Sequence, residues 1–209
     1  DLDIAYSPDA GSVARRSLKN LCLSYLMSLE TEASLQLARA QYEKADNMTD
    51  MQVALVLVAH SSFRSDAKAL LADFYQRWSG ESLVVNLWLS IQASDPNEGA
   101  LSRVLELMQH PAFDGKNPNK LRSVISVFCA QNSTHFHALD GSGYRFLADR
   151  IIELNSQNPQ IAARMLTPLT RWKKFSAARQ ALMKAELERI RESGDLSKDV
   201  FEVVSKSLV

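Results

Sequence analysis

Arg122 and Arg164 are the residues whose type and spacing point most directly to chemistry. Each follows an Asn-Pro pair by about a helical turn, Asn117-Pro118 in one case and Asn158-Pro159 in the other. Asn accepts a hydrogen bond from an early helical N–H, and Pro lacks an N–H that would go unpaired at the first helical position. Both pairs therefore read as helix starts. In a series of antiparallel hairpins these two helices are separated by one helix, beginning near Gly143. They should run parallel, with both positive ends on the same edge. Two guanidinium groups near two helix N-termini suit a carboxylate. Gln160, four residues before Arg164, shares its helix face and can add an amide contact. The competing reading pairs both arginines with surface Asp or Glu, an arrangement that is common and contributes little.

The other chemical groups are less specific. No HExxH occurs, and His135-Phe136-His137 offers an i, i+2 spacing that cannot put both rings on one helix face. With Cys129 the pair would make three ligands for a metal, one short of a closed tetrahedral zinc set, so packing or capping of a loop is the expected role ahead of a metal site. Asp140-Gly141-Ser142-Gly143 lacks the lysine of a phosphate loop and the alternating acids of a calcium loop, which leaves a turn and helix cap. Arg171, Lys173 and Lys174 around Trp172 read as cations at a helix end, where they favour the dipole, ahead of a nucleic-acid contact. Cys22 and Cys129 each fall in an apolar helical pattern and are expected to be buried free thiols.

The elements that hold these groups are helical. Seven Gly and six Pro in 209 residues fall almost wholly between segments of three- and four-residue apolar periodicity. One such segment carries Val13, Leu18, Leu21, Cys22, Tyr25 and Leu26; others follow to Leu208, and about eleven helices with no strand are expected. Thr49 and Gln52 form a candidate capping box, and Ser62 and Ser197 are candidate caps. Short connections force neighbours into hairpins of about 30–45 residues, and such hairpins in series make a right-handed armadillo- or HEAT-like superhelix. No strict sequence repeat is visible. Lys+Arg and Asp+Glu both total 24, which leaves no electrostatic footprint for nucleic acid or an anionic membrane. No apolar run is long enough to span a bilayer, and the acidic start without Met reads as the edge of an excised piece.

NPNKLRS from Asn117, FHALDGSGYRFL from Phe136 and LNSQNPQIAARMLTPLTRWKKF from Leu154 give the chain a resemblance to the C-terminal helical domain of bacterial aminopeptidase N. The resemblance covers residues 1–209 as a single domain and implies the same superhelix. It implies a cytoplasmic zinc peptidase in which this domain closes the chamber over the catalytic domain of the same polypeptide. Arg122, Gln160 and Arg164 match the positions that contact the distal part of the peptide substrate. The zinc, its ligands and the catalytic glutamate belong to domains outside this stretch, so no catalytic residue, metal or cofactor is expected within it. The resemblance also implies an interdomain face, expected near Asn117 and Asn158. A free-standing helical scaffold binding a partner protein is the alternative.

Overall fold

A computed structural model describes residues 6–209, and among them every regular element is a helix. The contacts of the chain divide it into two compact units, residues 1–97 and 98–209. In the first, α1 (Ala10–Met27), α2 (Glu32–Lys44), α3 (Met48–Ala59), α4 (Arg64–Trp78) and α5 (Ser82–Ala93) pack successively against one another. Side chains fix several of their starts. Asp9 accepts from the Ser12 N–H, Thr31 and Ser34 form a reciprocal capping box, and Asn47 accepts from Asp50. Asn47 thus caps α3 in place of the Thr49 box, and α4 begins after Phe63 with no side-chain cap.

The core of this unit holds Leu35, Ala38, Tyr42, Leu55, Val58, Phe74 and Leu89. Polar links also tie these helices at a common sequence distance. Lys19 meets Asp50, Tyr42 meets Asp73, His60 meets the Ile91 carbonyl and Arg64 meets Asp95, each across 31 residues. This is the repeat that no sequence motif announces.

The face that α1 buries differs from its most apolar one. Leu23 and Met27 go inward with Asn20, whereas Val13, Leu18, Leu21, Tyr25 and Leu26 are exposed. Cys22 is exposed as well, contrary to expectation, while Cys129 is buried; both are free thiols. Five exposed large apolar side chains thus share α1, while Leu83 on α5, Leu139 in the loop between the two Asn-Pro starts and Phe201 near the C-terminus are exposed singly.

The second unit comprises α6 (Ala100–Gln109), α7 (Pro118–Leu121), a π turn (Arg122–Ser126), α8 (Val127–Gln131), α9 (Ser133–Phe136), α10 (Ser142–Gln157), α11 (Pro159–Met165), α12 (Thr167–Thr170), a 3₁₀ turn (Trp172–Lys174), α13 (Ala177–Arg191) and α14 (Lys198–Leu208). Residues 118–131 run on as one helix. On that count eleven helices of seven or more residues are present, matching the sequence reading. The short pieces α9, α12 and the 3₁₀ turn were not legible.

Phe128 sits at the centre of this core, edge-on to Phe136 at 6.1 Å and Phe146 at 5.6 Å. α10 packs on α11 and α13, and α14 on both of those. Four polar links here span 40–42 residues: Arg189 to Asp149, Asn155 to the Asp195 carbonyl, Ser197 to Asn155 and Arg179 to the His137 carbonyl.

Candidate anion-binding cleft

Both Asn-Pro starts form as the sequence requires. Asn117 Oδ1 accepts from the N–H groups of Asn119 and Lys120, and Asn158 Oδ1 from that of Ile161. Past the first start the helix widens. The Val127 N–H reaches the Arg122 carbonyl, five residues back, and opens the π turn on which Arg122 sits. An extra residue in the turn shifts the register of the side chains that follow, which is why such turns recur at functional sites. Past the second start, α11 lasts seven residues before Thr167-Pro168 redirects the chain.

The result is a cleft of about 370 Å³ whose walls include Arg122 and Ser126 from the first helix and Ile161, Arg164 and Met165 from α11. Arg122 and Arg164 are therefore brought together, as the parallel-helix argument required. Gln160 is exposed and does not line this cleft. The ion-pair reading of the arginines does not hold: Arg122 donates only to the neutral Asn119 side chain, at 3.3 Å, and among the described residues Arg164 has no side-chain partner.

A second cleft of about 260 Å³ shares Ser126, Ala130, Arg164 and Met165 with the first and adds His137, Arg171 and Phe175. Arg171 follows α12 directly and carries a free guanidinium into this wall. Sequence reasoning placed it at a helix end and gave it no binding role. The only available signal was its distance of seven residues from Arg164, uninformative without the turn at Pro168. Trp172, beside it, is structural: its indole N–H donates to the Ser207 carbonyl at 2.9 Å.

His137 lies against Phe175 with ring centroids 4.4 Å apart, and its Nδ1 is 2.9 Å from the Tyr144 hydroxyl. Burial, reinforced by the Arg179 charge, holds the imidazole below its ordinary pKa and favours the neutral ring. Burial pushes the Cys129 thiol well up, so it stays protonated and unreactive. His137 packs against Phe136, Tyr144 and Phe175, the role expected of it. Asp140 and Gly141 form the expected turn, with Gly141 left-handed at φ 71° and Asp140 Oδ1 accepting from the Ser142 N–H. Among the described residues no group of three His, Cys, Asp or Glu is placed to hold a metal ion, and zinc has no fit here. No described helix is long and apolar enough to cross a membrane.

The chain belongs to the family described as a domain of unknown function (DUF3458_C) with ARM repeats, whose match spans residues 2–209. It is 42% identical over 203 residues to aminopeptidase N of Haemophilus influenzae and 38% identical to that of Escherichia coli, matching 97% of this chain and 23% of each relative. Among solved structures it is similar to Legionella pneumophila aminopeptidase A, crystallised in complex with aspartic acid. That likeness has a TM-score of 0.90 at 33% identity, over 99% of this chain and 25% of the other. The chain thus spans about a quarter of the length of the relatives it matches. The resemblance to aminopeptidase N first seen in three segments holds along nearly the whole chain.

Proposed function

We propose that residues 1–209 act as one C-terminal helical domain of a longer cytoplasmic zinc aminopeptidase that removes N-terminal residues from peptides. The observation that carries this reading is the similarity to aminopeptidase N over 97% of the chain. The partner is the catalytic domain of the same polypeptide, which supplies the zinc and all groups that act on the scissile bond. This domain closes the chamber and limits the length of peptide that fits. Arg122 and Arg164 hold the free carboxylate of the peptide at its distal end, and Gln160 contacts the chain outside the cleft. Two cations without a neutralising carboxylate favour such a ligand, since each charged hydrogen bond formed is about twice as strong as a neutral one.

The test is Arg164→Ala in the full-length protein. KM for tri- and tetrapeptides should rise about tenfold, within the roughly 1–3 kcal/mol expected when a charged hydrogen bond is lost. A single-residue chromogenic amide, which lacks that carboxylate, should be hydrolysed as before. An equal loss of kcat on both substrate classes would make the arginine structural and end this reading.

A further inference from the structure

Among the described residues every arginine except Arg164 and Arg171 has a hydrogen-bond or ion-pair partner within the chain. The two exceptions line the same cleft of about 260 Å³. Arg164 is also the wall between that cleft and the one of about 370 Å³ that contains Arg122. Three guanidinium groups thus border two adjoining compartments, and no Asp or Glu lines either. A third cleft of the same unit is different: Arg150 and Lys116 line it together with Glu153 and Asp114, and Arg150 pairs with Glu153 at 2.7 Å. In that cleft carboxylates stand among the cations, whereas none stands in the two adjoining ones.

The geometry points to a site for two carboxylates, one between Arg122 and Arg164 and one between Arg164 and Arg171. Resting on the carboxylate reading above, this assigns Arg171 as a specificity-determining residue and the ligand as a peptide ending in Asp or Glu. The α-carboxylate takes the first compartment and the side-chain carboxylate the second. Met165 and Phe175 offer the second compartment an apolar wall for the methylenes of the acidic side chain. His137 is kept uncharged by burial and the Arg179 charge, and adds no competing cation. A single monoanion would leave one arginine without a counter-charge.

The full-length protein would be assayed on Ala-Ala-Glu and Ala-Ala-Gln, and on the tetrapeptides with one more Ala. These differ by one charge at nearly constant shape. KM should be about tenfold lower for the Glu peptides, the scale of one charge-assisted contact. Arg171→Gln should abolish that difference while leaving kcat and the Gln peptides unchanged, and Arg171→Lys should restore part of it. Arg171 is exposed and without a partner, so neither change threatens folding, which a thermal melt would verify. Equal KM for Glu and Gln peptides in the unaltered protein, or a preference that survives Arg171→Gln, overturns the inference. If in either case Arg164→Gln still weakens both peptides, only the second compartment falls. If Arg164→Gln affects neither peptide, the carboxylate reading falls and the inference with it.

Discussion

The two units of this chain are built from the same element by different rules. In residues 1–97 the helices are 12–18 residues long and uninterrupted, and four of their polar links share a spacing of 31. In residues 98–209 the helices are broken by a π turn, a Thr-Pro corner and a 3₁₀ turn, and four of the links span 40–42 residues. The irregular unit is the one with the arginine-lined clefts. A regular helix presents side chains at fixed angles, so two clefts sharing one arginine wall require departures from regularity at Arg122 and at Pro168. Uniform repeats give a scaffold; interruptions aim side chains.

The sharpest way to break the comparison is at glycine. In the second unit a Cβ on Gly143 would lie 2.3 Å from the Phe136 carbonyl oxygen and 2.7 Å from its Cα. Backbone cannot yield as a side-chain tip does, so Gly143→Ala should cost about 3 kcal/mol or more, read by chemical denaturation. In the first unit Gly80 has nothing within 4 Å of the same position. Gly80→Ala should be neutral or stabilise by roughly 0.5 kcal/mol through the unfolded chain. Similar costs at both sites would mean that packing against short interrupted helices is no tighter than packing in the regular unit.

The next largest effect concerns the buried carboxylate of the first unit. Burial pushes the Asp50 carboxyl up, but hydrogen bonds from Lys19, Asn20 and Asn47 together outweigh it and hold the group below its ordinary pKa. Asp50→Ala removes the acceptor and should cost about 2 kcal/mol, the scale of hydrogen bonds to a charged group. A depressed folded pKa means that the unfolded state binds the proton first. The stability from Asp50 is therefore complete above about pH 4 and drains as pH falls through the folded value. Unfolding of Asp50→Ala should lack that acid-side slope.

A smaller pH effect distinguishes the second unit. His137 titrates below its ordinary value of 6.5. As pH falls below about 6.5 the unfolded state takes up the proton first, so this contribution is present above that pH and is lost as pH drops through the folded value. Titration of the His137 ring protons by NMR should show the depressed midpoint, and a midpoint at or above 6.5 would contradict the burial on which it rests. The smallest effect is expected on α1. Leu18 is 63% and Tyr25 70% exposed. Leu18→Gln and Tyr25→Gln should each change the stability of the 209-residue chain by no more than about 0.5 kcal/mol, measured by thermal melting.

Much of the fold was readable because its signals are local. Asn-Pro at 117 and 158 fixed two helix starts through one side-chain oxygen and one missing N–H each. Ser197 capped α14 by accepting from the Val200 N–H, and the Asp140-Gly141 turn followed from the left-handed freedom of glycine. The site was half readable. Arg122 and Arg164 were placed together by an argument about parallel helices, whereas the positions of Gln160 outside the cleft and of Arg171 on the adjoining one were not legible. Those two placements share a cause: the seven-residue length of α11 and the corner at Pro168 set which side chains face the clefts, and neither follows from a helical period.

α1 marks the boundary most clearly. The spacing of Val13, Leu18, Leu21, Cys22, Tyr25 and Leu26 determined that the segment is a helix, because three- and four-residue intervals bring those side chains onto one side. It did not determine that this side stays in solvent while Asn20, Leu23 and Met27 turn inward. A period is a property of the chain alone. Which face is buried depends on what the neighbours offer, and Asp50 and Gln41 from α3 and α2 offer hydrogen bonds to Asn20 that an apolar stripe could not satisfy.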